Sequence, residues 1–268
     1  MIRTAKRPTT ERGEQILTNP LDRAKIEKAA VDHGFDLTPT LKEEWMVLRS
    51  TRLPVGCGVR VVGADRYEIA VSDPRIAVDL ARGLTTPTVE PKSRSIFPAD
   101  SYRSLFGLLG RIAELGRCLP TKVADRFHEA TGSMPRGTEA ERLVVTRIGQ
   151  QLFRDALIDY WQGTCAVTGL SIVPLLRASH IKPWAQCASD EERLDVFNGL
   201  LLAPNLDALF DGGWITFDAA GMLVVSPRLD NGSRVTLGLC DGMRLRWLGN
   251  EHRSFLKFHR SSVFCGNG

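Results

Sequence analysis

No C-x-x-C pair occurs in this chain: its six cysteines, Cys57, Cys118, Cys165, Cys187, Cys240 and Cys265, stand singly. That spacing excludes a zinc knuckle, which needs paired thiolates. No run of 18 or more apolar residues is present, so no transmembrane helix is expected. The segment Met1-Ile2-Arg3-Thr4-Ala5-Lys6-Arg7-Pro8 lacks the apolar core of a secretory signal. A cytoplasmic protein with no membrane partner is therefore expected, and a reducing compartment disfavours disulfides. Cys165 and Cys187 then read as buried core thiols. Internal repeats and low-complexity tracts are also lacking.

What remains is ordinary for a globular chain long enough for two domains: 268 residues, 43% hydrophobic and 25% charged. The net charge of +4 is unevenly placed. Residues 1–137 carry 22 Lys and Arg against 17 Asp and Glu, a net of +5; residues 138–268 carry 13 against 14, a net of −1. Such a split suits an N-terminal half that meets phosphates and a C-terminal half that keeps acidic groups for a metal.

Residues 1–20 read as a polar arm without a period. Leu21–His33 reads as a short helix, Trp45–Asp73 as β-rich with a turn at Gly63-Ala64-Asp65-Arg66, and Pro74–Gly83 as helical. Thr85–Pro91 reads as a loop, Ser101–Cys118 as a helix with apolar residues at helical spacing, and Thr121–Ala130 as another. Gly132-Ser133-Met134-Pro135-Arg136-Gly137 is the clearest break, so the domains are expected at 1–137 and 138–268. Thr138 and Glu141 then form a capping-box pattern ahead of a long helix, Glu139–Trp161. Its apolar stripe is read as Leu143, Val144, Ile148, Leu152, Phe153, Leu157 and Tyr160, and Arg147, Gln151 and Arg154 fall on another face that could follow a DNA backbone.

The chemistry is concentrated between residues 164 and 218. Leu175–Ile181 reads as a strand ended by Pro183, Gln186–Phe197 as a polar excursion, and Asn198–Leu202 as a second strand. Pro204 opens a short helix, Asn205–Asp211, stopped by Gly212-Gly213. An imidazole, His180, ends the first strand, and its ordinary pKa near ~6.5 suits proton abstraction at neutral pH. Asp207 and Asp211 are four residues apart and so share a helix face. Asp211 lies at the helix C-terminus, where the dipole disfavours a carboxylate and calls for a cation.

The ordered set Ser179-His180-Ile181-x-Pro183-Trp184, Asn198-Gly199-Leu200-x-Leu202 and Leu206-Asp207-x-Leu209-Phe210-Asp211, preceded by Thr164-Cys165-Ala166-Val167-Thr168-Gly169, resembles the HNH endonucleases of the ββα-metal superfamily, in particular a bacterial subgroup seen in restriction and phage-defence settings. The resemblance implies an α+β fold: a C-terminal ββα-metal nuclease domain preceded by a mixed α/β N-terminal domain of no recognised family. It implies His180 as general base, Asn198 as the brace that orients it, and Asp207, with Asp211, as ligands of one Mg²⁺ or Mn²⁺. Arg177, Lys182, Arg147 and Arg154 are the expected phosphate contacts. Two positions depart from the pattern: Ser179 stands where an aspartate often ligates the metal, and Asp207 where His or Asn is usual. Trp184 and Trp214 read as lids over the site, and Glu192 and Asp195 as solvated.

These features predict a metal-dependent DNA endonuclease, with DNA favoured over RNA as substrate. Three readings stand: a restriction-type enzyme whose N-terminal half reads sequence or methylation, a non-specific DNase licensed by a small-molecule or protein activator, and an inactive DNA-binding descendant. Cutting both strands with one site per chain would call for a homodimer.

Overall fold

Asn19 starts the first helix, α1 (Pro20–Asp32), by accepting the Leu21 N–H on its side chain, with Pro20 in the first turn. The computed structural model describes residues 19–82, 88–90 and 94–266, and the chain divides into two compact units, 1–116 and 117–268. Apart from Asn19 and Pro20, the polar arm read at 1–20 lies outside the described residues, as do 85–87 and 91 of the loop read at 85–91.

The first unit is built on a six-stranded sheet in the order β1-β2-β3-β4-β6-β5, from β1 (Leu37–Lys42), β2 (Trp45–Arg49), β3 (Cys57–Gly63), β4 (Arg66–Val71), β5 (Thr88–Glu90) and β6 (Arg94–Ala99). Among the described residues every pairing of this sheet is antiparallel, an α+β arrangement, where a mixed α/β domain would bring parallel crossovers. Part of the loop read at 85–91 is thus strand β5. The alternation of β3 and β4 is legible in the residues: Cys57, Val59, Val61, Tyr67, Ile69 and Val71 are buried, while Arg60 and Glu68 face each other across the ladder and pair. The helices α1, α2 (Pro74–Ala81) and α3 (Tyr102–Cys118) add Ile26, Ile76, Leu80, Leu105, Leu109 and Ile112 to the buried set.

The second unit opens with α4 (Pro120–Thr131) and α5 (Glu139–Tyr160), which pack on each other. Gly132–Gly137 is therefore the turn of a helical hairpin inside this unit, and the compact units divide earlier, at 116/117. The capping box of Thr138 and Glu141 is present in both directions. The buried face of α5 is Val145, Gly149, Phe153, Ala156, Leu157 and Tyr160, whereas Leu143 and Val144 are each about half exposed (52% and 51%). The apolar stripe assigned from sequence is correct from Phe153 onward and one face off in the first turns, where the side chains that meet α4 decide the phase.

Candidate active site

A two-stranded hairpin and a short helix form the centre of the second unit. Strand β7 (Arg177–His180) pairs with β8 (Gly199–Leu202), placing Ser179 opposite Leu200 and His180 opposite Gly199. Ile181 extends the ladder by donating its N–H to the Asn198 carbonyl at 2.9 Å. β7 starts later than the strand read from sequence, because Val173–Leu175 tightens into a 3-10 turn. Helix α7 (Pro204–Asp211) follows β8, with Gly212 at its C-cap and Gly213 at φ +70°. The two-stranded hairpin of β9 (Ile215–Phe217) and β10 (Leu223–Val225) trails it.

Gly199 explains why glycine follows Asn198. A Cβ there would lie 2.6 Å from Phe153 Cζ and 2.8 Å from Leu157 Cδ1, so β8 packs on α5 through bare backbone. Gly199→Ala is expected to destabilise the protein by about 1–3 kcal/mol through overpacking. A thermal melt checks this, and an unchanged midpoint contradicts it.

His180 is held on three sides. Its ring stacks on Phe153 with centroids 3.8 Å apart and planes 15° apart, and makes a T-shaped contact with Trp184, centroids 5.4 Å apart. Its Nε2 lies 2.8 Å from the Arg193 carbonyl. A carbonyl can only accept, so Nε2 carries the proton and Nδ1 holds the free lone pair. Burial pulls the imidazole pKa down to about 4, against a smaller upward pull from that carbonyl. The ring is therefore neutral, and its base form is present, throughout the neutral range. A cleft of about 450 Å³, lined by Gln150, Phe153, Arg154, Arg177, Ala178 and His180, opens beside it.

Asn198 is fully buried and spends its whole amide on the loop between the strands. Its Oδ1 accepts the Lys182 N–H at 2.8 Å; its Nδ2 faces the Glu192 carbonyl at 3.1 Å, the Lys182 carbonyl at 3.3 Å and Cys187 Sγ at 3.3 Å. It is a positioning residue. The excursion read as polar contains a short helix, α6 (Asp190–Arg193), and buries Leu194, Val196 and Phe197.

Ser179, also buried, donates its hydroxyl to Asp207 Oδ1. Asp207 lies in the first turn of α7 and Asp211 in its last. Partial burial of its carboxyl, and then the charge of Asp207, push the Asp211 pKa up to about 6. The donor set is thus all oxygen: one hydroxyl and two carboxylates close enough to repel. A hard divalent cation prefers such oxygens and relieves that repulsion, so the residues fit a cation of that class. Among the described residues no group of three or more His, Cys, Asp or Glu is placed to hold a metal, so Ser179 and water would complete the shell.

The expected phosphate contacts are not equivalent. Arg177 and Arg147 are exposed. Arg154 instead donates to the carbonyls of Leu176 at 2.6 Å and Val173 at 3.0 Å, holding the turn ahead of β7, although it also lines the cleft. Lys182 pairs with Glu192 at 2.7 Å and lies over the Phe258 ring, so Glu192 is an ion-pair partner and not a free solvated acid. Asp195 caps the turn Val196–Asn198. Trp184 abuts His180 as a lid would, whereas Trp214 is 37% exposed and lies against Gly212 at the end of α7. Cys165 and Cys187 are buried free thiols; Cys165 Sγ accepts backbone N–H groups from Val167, Thr168 and Ala203 at 3.3–3.5 Å.

Two residues carry more than the sequence suggested. His259, in the helix His252–Ser262, is buried, stacks on Phe210 at 3.9 Å, lies 2.9 Å from the Thr216 hydroxyl through Nδ1, and donates from Nε2 to the Phe210 carbonyl at 3.1 Å. It ties the end of α7, where Asp211 sits, to β9. Arg193 is the other, and nothing in its spacing singles it out.

Burial also holds the His259 pKa down to about 4. Both imidazoles are near ~6.5 when unfolded, so the unfolded chain takes up protons first. Stability is fully present above pH ~6.5 and falls as the pH drops toward 4, by about 2 kcal/mol per imidazole at pH 5. Asp211, raised on folding, pulls the other way and offsets part of the loss. The melting point is expected to fall between pH 7.5 and pH 5, and less so in His259→Gln; a flat profile contradicts this.

Among the described residues no helix is long and apolar enough to cross a membrane. No curated protein matches the chain. Residues 165–218, from Cys165 through the hairpin and α7 to the end of β9, match the family model described as HNH endonuclease (HNH_2), which supports the HNH family for this segment and a nuclease of the HNH type.

Proposed function

We infer that the chain is a divalent-metal-dependent DNA endonuclease of restriction or phage-defence type. The observation that carries this reading is the hairpin-and-helix unit itself, in which His180, the Asn198 brace and the Ser179–Asp207–Asp211 oxygens occupy consecutive elements of one packed motif. His180 takes a proton from the attacking water on Nδ1, while Nε2–H stays on the Arg193 carbonyl. Arg177, at the mouth of the His180 cleft, offsets phosphate charge. Asp207, Asp211 and Ser179 would hold the cation, which supplies Lewis-acid stabilisation of the phosphate and of the leaving oxygen.

The N-terminal unit, residues 1–116 with 18 Lys and Arg against 15 Asp and Glu, would select the target. A second reading, a DNase licensed by a small-molecule signal, draws on a cavity of about 690 Å³ in that unit, lined in part by Trp45, Val47, Arg49, Gly58, Ala70 and Ser72. Incubating the full chain with supercoiled plasmid, unmethylated or cytosine-methylated, in Mg²⁺ or Mn²⁺ tests these readings. Discrete fragments support the restriction-type enzyme, and a smear supports the licensed DNase. Binding of DNA without cleavage in either metal overturns the restriction-type reading, and a Mn²⁺ titration then separates a DNase lacking its activator, which binds the metal, from an inactive DNA-binding protein, which does not.

A further inference from the structure

The geometry points to Arg193 as a positioning residue that fixes the tautomer and aim of His180. This rests on the reading of His180 as the base. The Arg193 guanidinium is bound on three sides: Nη2 donates to the Cys187 carbonyl at 2.9 Å, Nε to the Trp184 carbonyl at 3.3 Å, and Nη1 to Asp190 Oδ1 at 3.0 Å. It also lies 5.9 Å from the Trp184 ring centre. Its own backbone carbonyl accepts from His180 Nε2, and the Trp184 ring meets the same imidazole in a T-shaped contact. One residue therefore sets two of the three surfaces around His180, the third being Phe153.

The arrangement closes a loop. From His180 the chain leaves β7, turns at Trp184–Gln186, passes through α6 and returns at Arg193. Asn198 ties this excursion from inside, through the Lys182 backbone and the Glu192 carbonyl. Arg193 ties the segment 184–190 from its half-buried side chain, which is 25% exposed. Without the guanidinium, the Cys187 carbonyl loses its side-chain donor, the Trp184 carbonyl keeps only the Cys187 N–H at 3.3 Å, Asp190 loses its closest cation, and the Arg193 carbonyl is held less firmly opposite Nε2. Lysine supplies charge but no planar fork, and so cannot span the three acceptors.

Nitrogen-resolved NMR of the full chain labelled with ¹⁵N-histidine, at neutral pH, reads this directly. His180 is assigned by the signal missing in His180→Ala. In the wild type His180 is expected wholly as the Nε2–H form; in Arg193→Ala a mixture of both neutral tautomers is expected, and in Arg193→Lys a partial mixture. Cleavage kcat should fall roughly 100-fold in Arg193→Ala, as for a misplaced catalytic group, with KM and calorimetric Mn²⁺ affinity unchanged. Should Arg193→Ala not fold, Arg193→Lys carries the test alone. A wild-type Nδ1–H form, or variants that keep the wild-type tautomer, overturns the assignment. So does an equal fall in kcat, Mn²⁺ affinity and melting point, which marks a merely structural role. If the wild type cuts no DNA, the nuclease reading fails, while the tautomer signal still decides what Arg193 does.

Discussion

His180→Ala is expected to lower the DNA cleavage rate by about 10²–10⁴-fold while leaving the fold intact. The imidazole presents a free Nδ1 lone pair to a cleft that also holds Arg177. No other imidazole is comparably placed: His259 is committed at both nitrogens, to Thr216 and to Phe210. Because burial keeps the His180 pKa near 4, the base form is already complete at neutral pH. The wild-type rate should then gain little from protonation changes of His180 between pH 6 and 8. A steep rise over that window, lost in His180→Ala, would show that the ring is solvated and titrates near its ordinary value. Truncating the ring also opens a space against Phe153, so a modest fall in melting point is expected alongside the rate loss.

Asn198→Ala is expected to be the most disruptive of the conservative changes to stability, costing about 3 kcal/mol. The substitution strips a fully buried amide from the Lys182 N–H and from the carbonyls of Lys182 and Glu192. Each buried polar group left without a partner costs about 1–3 kcal/mol. For a protein of this size that corresponds to a fall in melting point of roughly 6–12 °C. Cleavage should drop too, because the loop that Asn198 secures carries Trp184 and Arg193 to His180. Asn198→Asp keeps the Oδ1 acceptor and should recover part of the loss at low pH, where a protonated carboxyl can donate. A melting point within a degree or two of wild type would contradict the brace.

The hairpin-and-helix core was legible, apart from the start of β7, because its other boundaries are set by local signals. His180 ends a short run before Pro183, Asn198-Gly199 opens the next, Pro204 starts the helix and Gly212-Gly213 ends it. Such signals act within a few residues and survive without tertiary context. What was not legible depends on long-range partners. Arg154 looks like a phosphate contact on a helix face, and only the fold brings the carbonyls of Val173 and Leu176 to it. Lys182 and Glu192 are ten residues apart in an excursion whose path the sequence does not fix. Arg193 carries no pattern at all. Leu143 and Val144 extend the helical stripe on paper, yet α4 meets a different face of α5. The break at Gly132–Gly137 has the composition of a linker, but it is the turn between two packed helices. At the metal side the spacing of Asp207 and Asp211 was readable, whereas the Ser179 hydroxyl on Asp207 was not, since serine is a weak signal for any ligand.

The two carboxylates make a separable claim from the imidazole. With Asp211 near 6, cation binding should displace a proton at lower pH, so apparent affinity should weaken about tenfold per unit well below pH 6.

The most direct measurement combines Mn²⁺ binding by calorimetry with plasmid cleavage for the wild type, His180→Ala and the double variant Asp207→Ala/Asp211→Ala. The account predicts that His180→Ala binds Mn²⁺ as the wild type does and does not cut, whereas the double variant loses both. Cleavage retained by His180→Ala, or Mn²⁺ affinity unchanged without the two carboxylates, would contradict it.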